Sequence, residues 1–344
     1  MTKMQLLRFF IFFMIIIFVF IGLNDFFSMK TNYDVERIRW FNKQPRNSLD
    51  VVLVGASGIY RFWSTMDAWH DYGIVSSPWS TSGMPFPATK YVIEEVLKDQ
   101  SPDLLVIDYR NLRNKDNLKP GFIRKVTDNM PLSVNRFNAI NALLDFAHID
   151  SDHSEYYFSF LLYHSRWEQG LTSDDFGFKM NEYCGTTVDN KVYFKITPLK
   201  ETKPTVDRLP LDSDMERSLI DLLEYCKQND LTVLFVASPF EISQKERKIL
   251  NSAQELIASY GFSYINFNDI YNQLDLDFSK DFYDSGHTNY YGMKKFTDYL
   301  SEHIKQNYQI PDRRGIEDYR SWNESYFRFS DKIEELKSNS EENG

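Results

Sequence analysis

Three short runs constrain the fold more than any other feature: Asp50–Val54 (DVVLV), Asp103–Asp108 (DLLVID) and Leu231–Ala237 (LTVLFVA). Between their flanking aspartates they are apolar almost throughout, not on alternate positions. As strands they would have no face to offer to water. Such strands belong in a mostly parallel sheet covered by helices on both sides. Segments with helical spacing fall between them, at Ile59–His70, Pro87–Leu97, Glu216–Gln228, Lys245–Tyr260 and Tyr290–Gln306. Two weaker strands fit at Gly73–Ser77 and Tyr264–Phe267. The expected fold is a three-layer α/β/α domain over residues 29–312.

The alternation fails between the third and fourth strong strands. Residues 112–212 hold two helical segments, near Asn135–Ala147 and Ser154–Gln169, then run irregularly through Pro210. An insertion of that length is expected to form a lid or a binding surface. From Arg313 the chain turns acidic and polar. Residues 313–344 read as a tail docked in part through Tyr319, Trp322, Tyr326 and Phe327, with Ser338–Gly344 disordered.

Residues 1–28 are of another kind. Leu6–Leu23 reads LLRFFIFFMIIIFVFIGL, with Arg8 as its one charge. About eighteen residues at ~1.5 Å each nearly cross a hydrocarbon core. Lys3 and Arg8 lie at the leading end, which places the N-terminus in the cytoplasm and the remainder outside. The residues that follow are Asn24, Asp25, Phe26 and Phe27, not an Ala-x-Ala-like cleavage site. An uncleaved single-pass anchor with an extracytoplasmic domain is therefore expected in preference to a cleaved signal peptide.

Composition removes several function classes. The 344 residues, 42% of them apolar, can build a substantial core. A net charge of -10 excludes a general nucleic-acid binder, which needs a basic face to neutralise phosphates. The 28 Phe and 21 Tyr mostly fill the core, and the remainder suits a carbohydrate-sized groove. With only Cys184 and Cys226 there is no dense disulfide framework. Free structural thiols are expected, one bridge being the alternative.

Functional side chains in open parallel sheets gather beyond the carboxyl ends of the strands. Ser57 stands there, in VVLVGASGIYRF, between Gly55 and Gly58. The stretch lacks the Lys-Ser/Thr of a P-loop and the full G-x-G-x-x-G of a dinucleotide site. A nucleophile and a small residue in a tight turn are both open. The second piece is DFYDSGHTNYYG at 281–292, just before the last helix. Asp284 and His287 are spaced so that the carboxylate can fold back on the imidazole, leaving the other ring nitrogen for a hydroxyl. The alternative is a surface histidine near a helix start, with Asp284 or Thr288 as the cap. His148, His153 and His164 do not share a helical turn, and Asp275, Asp277 and Asp281 lack the EF-hand pattern. Neither set is expected to bind metal, and the Asp run reads as a solvated loop.

Together, Gly-x-Ser after the first strand and Asp-x-x-His before the last helix resemble the SGNH/GDSL hydrolase superfamily. Asn289-Tyr290-Tyr291-Gly292 is similar to the block that leads into that family's final helix. An α/β-hydrolase elbow, G-x-S-x-G, fits less well. The N-terminal anchor, SPDLLVID and the Ser238-Pro239 after the fourth strand resemble the membrane-anchored, cell-surface branch, which includes DltD-like proteins and partners of membrane-bound O-acyltransferases (MBOATs). The resemblance spans residues 48–110 and 214–306. It implies a flavodoxin-like SGNH fold, Ser57, His287 and Asp284 as nucleophile, base and orienter, and no cofactor. It also implies oxyanion donors at Gly83 and Asn111. The third block reads DYRN instead of Gly-x-Asn-Asp, so Arg110 stands as a substitute donor or a binder of an anionic group.

The function so implied is extracytoplasmic acyl transfer, such as O-acetylation, or ester hydrolysis on a cell-envelope or exported polysaccharide. An MBOAT-type protein would be its partner. D-alanyl transfer to a teichoic acid is a narrower version. A non-catalytic module that docks polysaccharide or the partner is a different class of answer, as is a plain secreted esterase.

Overall fold

The computed structural model describes residues 2–150, 153–170, 172–177, 179–189 and 193–342. The chain begins with α1 (Lys3–Phe27), α2 (Tyr33–Asn42), β1 (Val51–Gly55), α3 (Ser57–Tyr60), α4 (Thr65–Tyr72), β2 (Ser76–Ser80), α5 (Thr89–Val96) and β3 (Leu104–Asp108). The insertion carries α6 (Pro120–Thr127), α7 (Val134–Phe146), α8 (Ser154–Tyr157) and α9 (Ser159–Tyr163). Then follow α10 (Ser213–Gln228), β4 (Val233–Ala237), α11 (Gln244–Ser259), β5 (Ser263–Asn266) and α12 (Phe267–Ile270). A hairpin of β6 (Phe282–Asp284) and β7 (His287–Thr288) leads into α13 (Tyr290–Asn307) and α14 (Arg320–Glu342).

The first five strands form one parallel sheet in the order β2-β1-β3-β4-β5. Alternate residues of β1, β3 and β4 enter two separate cores. Val52, Val54, Leu105, Ile107 and Phe235 face one, with α5, α7, α10 and α11. Val51, Leu53, Val106, Leu234 and Val236 face the other, with Phe267 and the Phe296–Leu300–Ile304 stripe of α13. This two-sided burial is why the strands are apolar on successive positions. The fold is α/β, as expected, with an N-terminal apolar helix. Helix α1 is long and apolar enough to cross a bilayer, and none of its residues is buried.

Several expected boundaries move. The expected helix Ile59–His70 is two helices, because Ser64 caps α4 through the Asp67 N–H at 3.2 Å. The second strand starts at Ser76, not Gly73. Gly73 ends α4 with a φ of +67°. The segment Ser154–Gln169 divides into α8, α9 and a 3₁₀ turn from His164. Four helices lie where none was expected: α2, α6, α12 and α14. Helix α2 lies in what reads as a juxtamembrane linker and buries Arg37 completely, on Asp34, the Ser80 carbonyl and Thr187. Helix α6 opens the insertion.

The tail is the largest correction. Residues 320–342 are helical, including Ser338–Glu342 where disorder was expected, and Asn343 and Gly344 lie outside the described residues. Trp322, Phe329, Ile333 and Leu336 are buried in the core, whereas Phe327 is 65% exposed. Trp322 packs edgewise on Trp40 and at a tilt on Trp69, and the Trp69 indole donates to Asn323 at 3.0 Å. The aromatic-to-aliphatic stripe at helical spacing docks the segment as an amphipathic helix.

Candidate functional site

The sheet order places its topological switch between β1 and β3, where chains leave to opposite sides and a crevice opens beyond the carboxyl ends. Ser57 follows β1 there and opens α3. Neither Gly55 nor Gly58 has a positive φ. Both are needed for space. A Cβ on Gly58 would lie 2.0 Å from Asp108 Oδ2 and 2.4 Å from Ser238 Oγ, and one on Gly55 would lie 2.9 Å from Asp108 Cβ.

His287 and Asp284 come from the β6–β7 hairpin. The imidazole Nε2 lies 2.7 Å from Ser57 Oγ across a separation of 230 residues. On its other side Nδ1 lies 2.9 and 3.0 Å from the two Asp284 carboxylate oxygens. Because the carboxylate can only accept, Nδ1 carries the proton, and Nε2 accepts from the serine hydroxyl. The Gly286 N–H donates to Asp284 Oδ1 at 2.7 Å and tightens the loop. The alternative, with Asp284 or Thr288 as the cap of the last helix, does not occur: Asn289 caps α13 through the Gly292 N–H at 3.2 Å. A Cβ on Gly292 would lie 2.4 Å from the Asp281 carbonyl, so this helix start fits closely against the hairpin.

The electrostatics keep His287 neutral. Burial lowers its pKa, opposed by the hydrogen bond to Asp284 and assisted by the cations Arg110 and Arg61, so it titrates below the ordinary 6.5. Burial raises Asp284, but the hydrogen bonds from His287 and from backbone N–H groups outweigh it and hold the carboxyl below its usual range.

Arg110 is buried beside these groups. Its Nη1 donates to the Gly286 carbonyl at 2.9 Å, and its Nε is buried without a partner. Burial lowers its pKa to about 10. Beneath it, Asp108 accepts from the Arg110 N–H at 2.8 Å and from Ser238 Oγ at 3.1 Å. Asn111 turns to other work: its Nδ2 donates to the Met84 carbonyl at 3.0 Å, and its Oδ1 accepts from Arg113 at 3.2 Å. That bond ties the Arg110–Arg113 turn to the loop of Gly83, which has a φ of +67° and lies under Phe122. No hydrogen bond joins Gly83 or Asn111 to Ser57 or His287 among the described residues.

Several neighbours escaped the sequence reading. The Tyr283 ring stacks on His287 at 5.5 Å and 12°. Arg61 lies over the Tyr60 and Tyr283 rings and pairs with Asp189 at 3.4 Å. Asp189 belongs to the insertion, whose irregular half also runs along the hairpin, Thr197 N–H donating to the Phe282 carbonyl at 2.8 Å. The insertion thus forms one wall of the site. Arg61 and Tyr283 lie inside the two motifs, and their adjacency to Ser57 and Asp284 was the available signal.

His148, His153 and His164 have separate partners, Asp214, the Ile149 carbonyl and the Leu161 carbonyl. Asp281 departs from the solvated-loop expectation: it is buried, accepts from the Asp277 N–H and pairs with Lys295 at 2.8 Å. No cluster able to hold a metal ion occurs among the described residues. Cys184 and Cys226 are both free and buried. No family model matches the sequence, and no curated protein matches it.

Proposed function

We propose that the protein is an SGNH-type serine enzyme that transfers an acyl group to, or removes one from, a cell-envelope or exported polysaccharide outside the cytoplasm. The observation that carries this is the continuous chain from Asp284 through both nitrogens of His287 to Ser57 Oγ, at 2.9 and 2.7 Å. A module that only binds glycan has no need of a neutral imidazole aimed at a serine hydroxyl.

In this reading Ser57 Oγ attacks the acyl carbonyl carbon while its proton passes to His287 Nε2. Asp284 stabilises the imidazolium that forms. The tetrahedral oxyanion is met by the Ser57 N–H and the Arg110 guanidinium, the latter taking the place that Asn111 holds in the family pattern. His287 returns the proton to the departing oxygen as the C–O bond breaks, leaving an ester on Ser57. A sugar hydroxyl or water then gives its proton to His287 and attacks that ester, and the proton returns to Ser57 Oγ as it leaves. An MBOAT-type membrane protein is the partner that would supply the acyl donor, the acetyl group being the leading candidate and D-alanyl the narrower alternative.

The test is reaction of the full-length protein with a fluorophosphonate probe. Labelling is expected at Ser57 and is lost in Ser57→Ala, and aryl-ester turnover falls by about four orders of magnitude or more. Wild-type protein that labels no better than Ser57→Ala would sink the enzyme reading and leave the binding module.

A further inference from the structure

The globular part does not hang free from α1. The Phe20 ring packs edgewise against both Phe158 and Phe160, each at 4.8 Å, and the Phe160 N–H donates to Asn24 Oδ1 at 3.2 Å. Farther along, Phe26 packs edgewise on Phe176 at 5.8 Å. The α8–α9 segment is thereby fixed against the last turns of the apolar helix.

These contacts set a depth. The apolar run of α1 ends at Leu23, and Asn24 and Asp25 are the first polar residues after it. Phe20 lies four residues earlier, about 6 Å at 1.5 Å per residue. Phe158 and Phe160 share its level. If α1 crosses a bilayer up to Leu23, these rings sit below the boundary, at the ~5–10 Å depth of interfacial apolar side chains. Around them the surface is apolar and uncovered: Leu132 is 54% exposed, Val134 77%, and Leu162 also faces out. Adjoining them is a cleft of about 340 Å³ between α1, α2 and α7, where the polar Asn24, Asp25, Arg39 and Arg136 stand beside Phe20, Leu132 and Phe158.

We propose that this collar around the end of α1, formed by α8–α9 and the Leu132–Val134 loop, is seated in the interface of a lipid bilayer, with the polar cleft at headgroup level. The occupant follows from continuity with α1: Phe158 and Phe160 pack on its last apolar turn, and Phe160 bonds to Asn24, where that turn becomes polar. The inference is independent of the acyl-transfer reading and rests only on α1 as a membrane span.

The test uses full-length protein in vesicles of phosphatidylcholine and phosphatidylglycerol. An environment-sensitive fluorophore is placed in turn through Leu132→Cys, Leu162→Cys, Ile15→Cys and Val206→Cys. The native Cys184 and Cys226 are buried, with thiols pushed up to about 12, and do not compete for label. Val206 is the solvent control. It is 90% exposed beside α11 and the β5 edge, while α2 lies on the opposite, β2 edge. Bromine-bearing lipids are expected to quench positions 15, 132 and 162 several-fold more than position 206, and aqueous iodide to show the reverse. Iodide quenching at 132 and 162 like that at 206, with 15 still quenched from the lipid, would overturn the seating while leaving the anchor. Loss of lipid quenching at 15 as well would overturn both. Shielding of 132 and 162 from iodide without lipid quenching would mean that a second copy of the chain covers the collar, and would overturn it too.

Discussion

If Ser57 is the proposed nucleophile, whether it can be activated is decided by the protonation of His287. Its pKa is held below 6.5 by burial and by Arg110 and Arg61, against the pull of Asp284. The neutral form is therefore lost as pH falls through that lowered value and is fully present above it. Ester turnover should rise along one acid limb with a midpoint below 6.5 and be level near neutrality. Arg110→Gln removes a cation that disfavours the imidazolium, so its limb should move up in pH, whatever the height of its plateau. A limb that stays in place would show that Arg110 does not act on His287. Gly58 bears on the same site through volume. Gly58→Ala inserts a methyl against Asp108 and Ser238, and overpacking of this kind costs about 1–3 kcal/mol. Denaturant unfolding should show that loss, together with weaker probe labelling of Ser57.

At the scale of elements, α14 is a structural part of the domain. Trp322→Ala should cost about 3–5 kcal/mol, as loss of a buried aromatic does. Phe327→Ala, on the solvent side of the same helix, should stay within about 0.5 kcal/mol. Urea denaturation of the two variants separates them. Helix α14 covers α4, and there Asp67 is buried with its Oδ2 unpartnered. Burial raises its pKa to about 6, with Asp71 and Asp298 assisting and Ser64 and Lys294 opposing. A raised folded-state pKa stabilises the fold at low pH, and that contribution is lost as pH rises from the ordinary carboxylate range to about 6. Asp67→Asn should therefore flatten the dependence of Tm on pH across that window. An unchanged slope would contradict the assignment.

For the whole molecule, what was legible depended on how local the signal is. The three strong strands could be read because each is buried on both faces and shows it in a handful of adjacent residues. Strand β2 was misplaced because SSPWS is buried without being apolar. Helices α2 and α14 were missed because charged residues interrupt their apolar stripes, and what docks them, such as Arg37 on the Ser80 carbonyl or Trp322 on Trp40, lies far away in sequence. The close approach of Ser57, His287 and Asp284 was legible from two motifs with fixed places relative to strands. The parts played by Asp108, Ser238 and Asp189 were not, since they exist only through contacts across more than a hundred residues.

The hydrogen bond between Ser57 and His287 closes a separation of 230 residues, and that distance is also an interval of time. At about 5–20 residues per second the ribosome makes the serine roughly 10–50 s before the histidine. During synthesis the hydroxyl stays unarmed while membrane, chaperones and other chains pass close by. The contact forms only when the β6–β7 hairpin has been made and has folded back to the end of the first strand. On the acyl-transfer reading, a chain interrupted before residue 287 would lack its base and could not activate the serine.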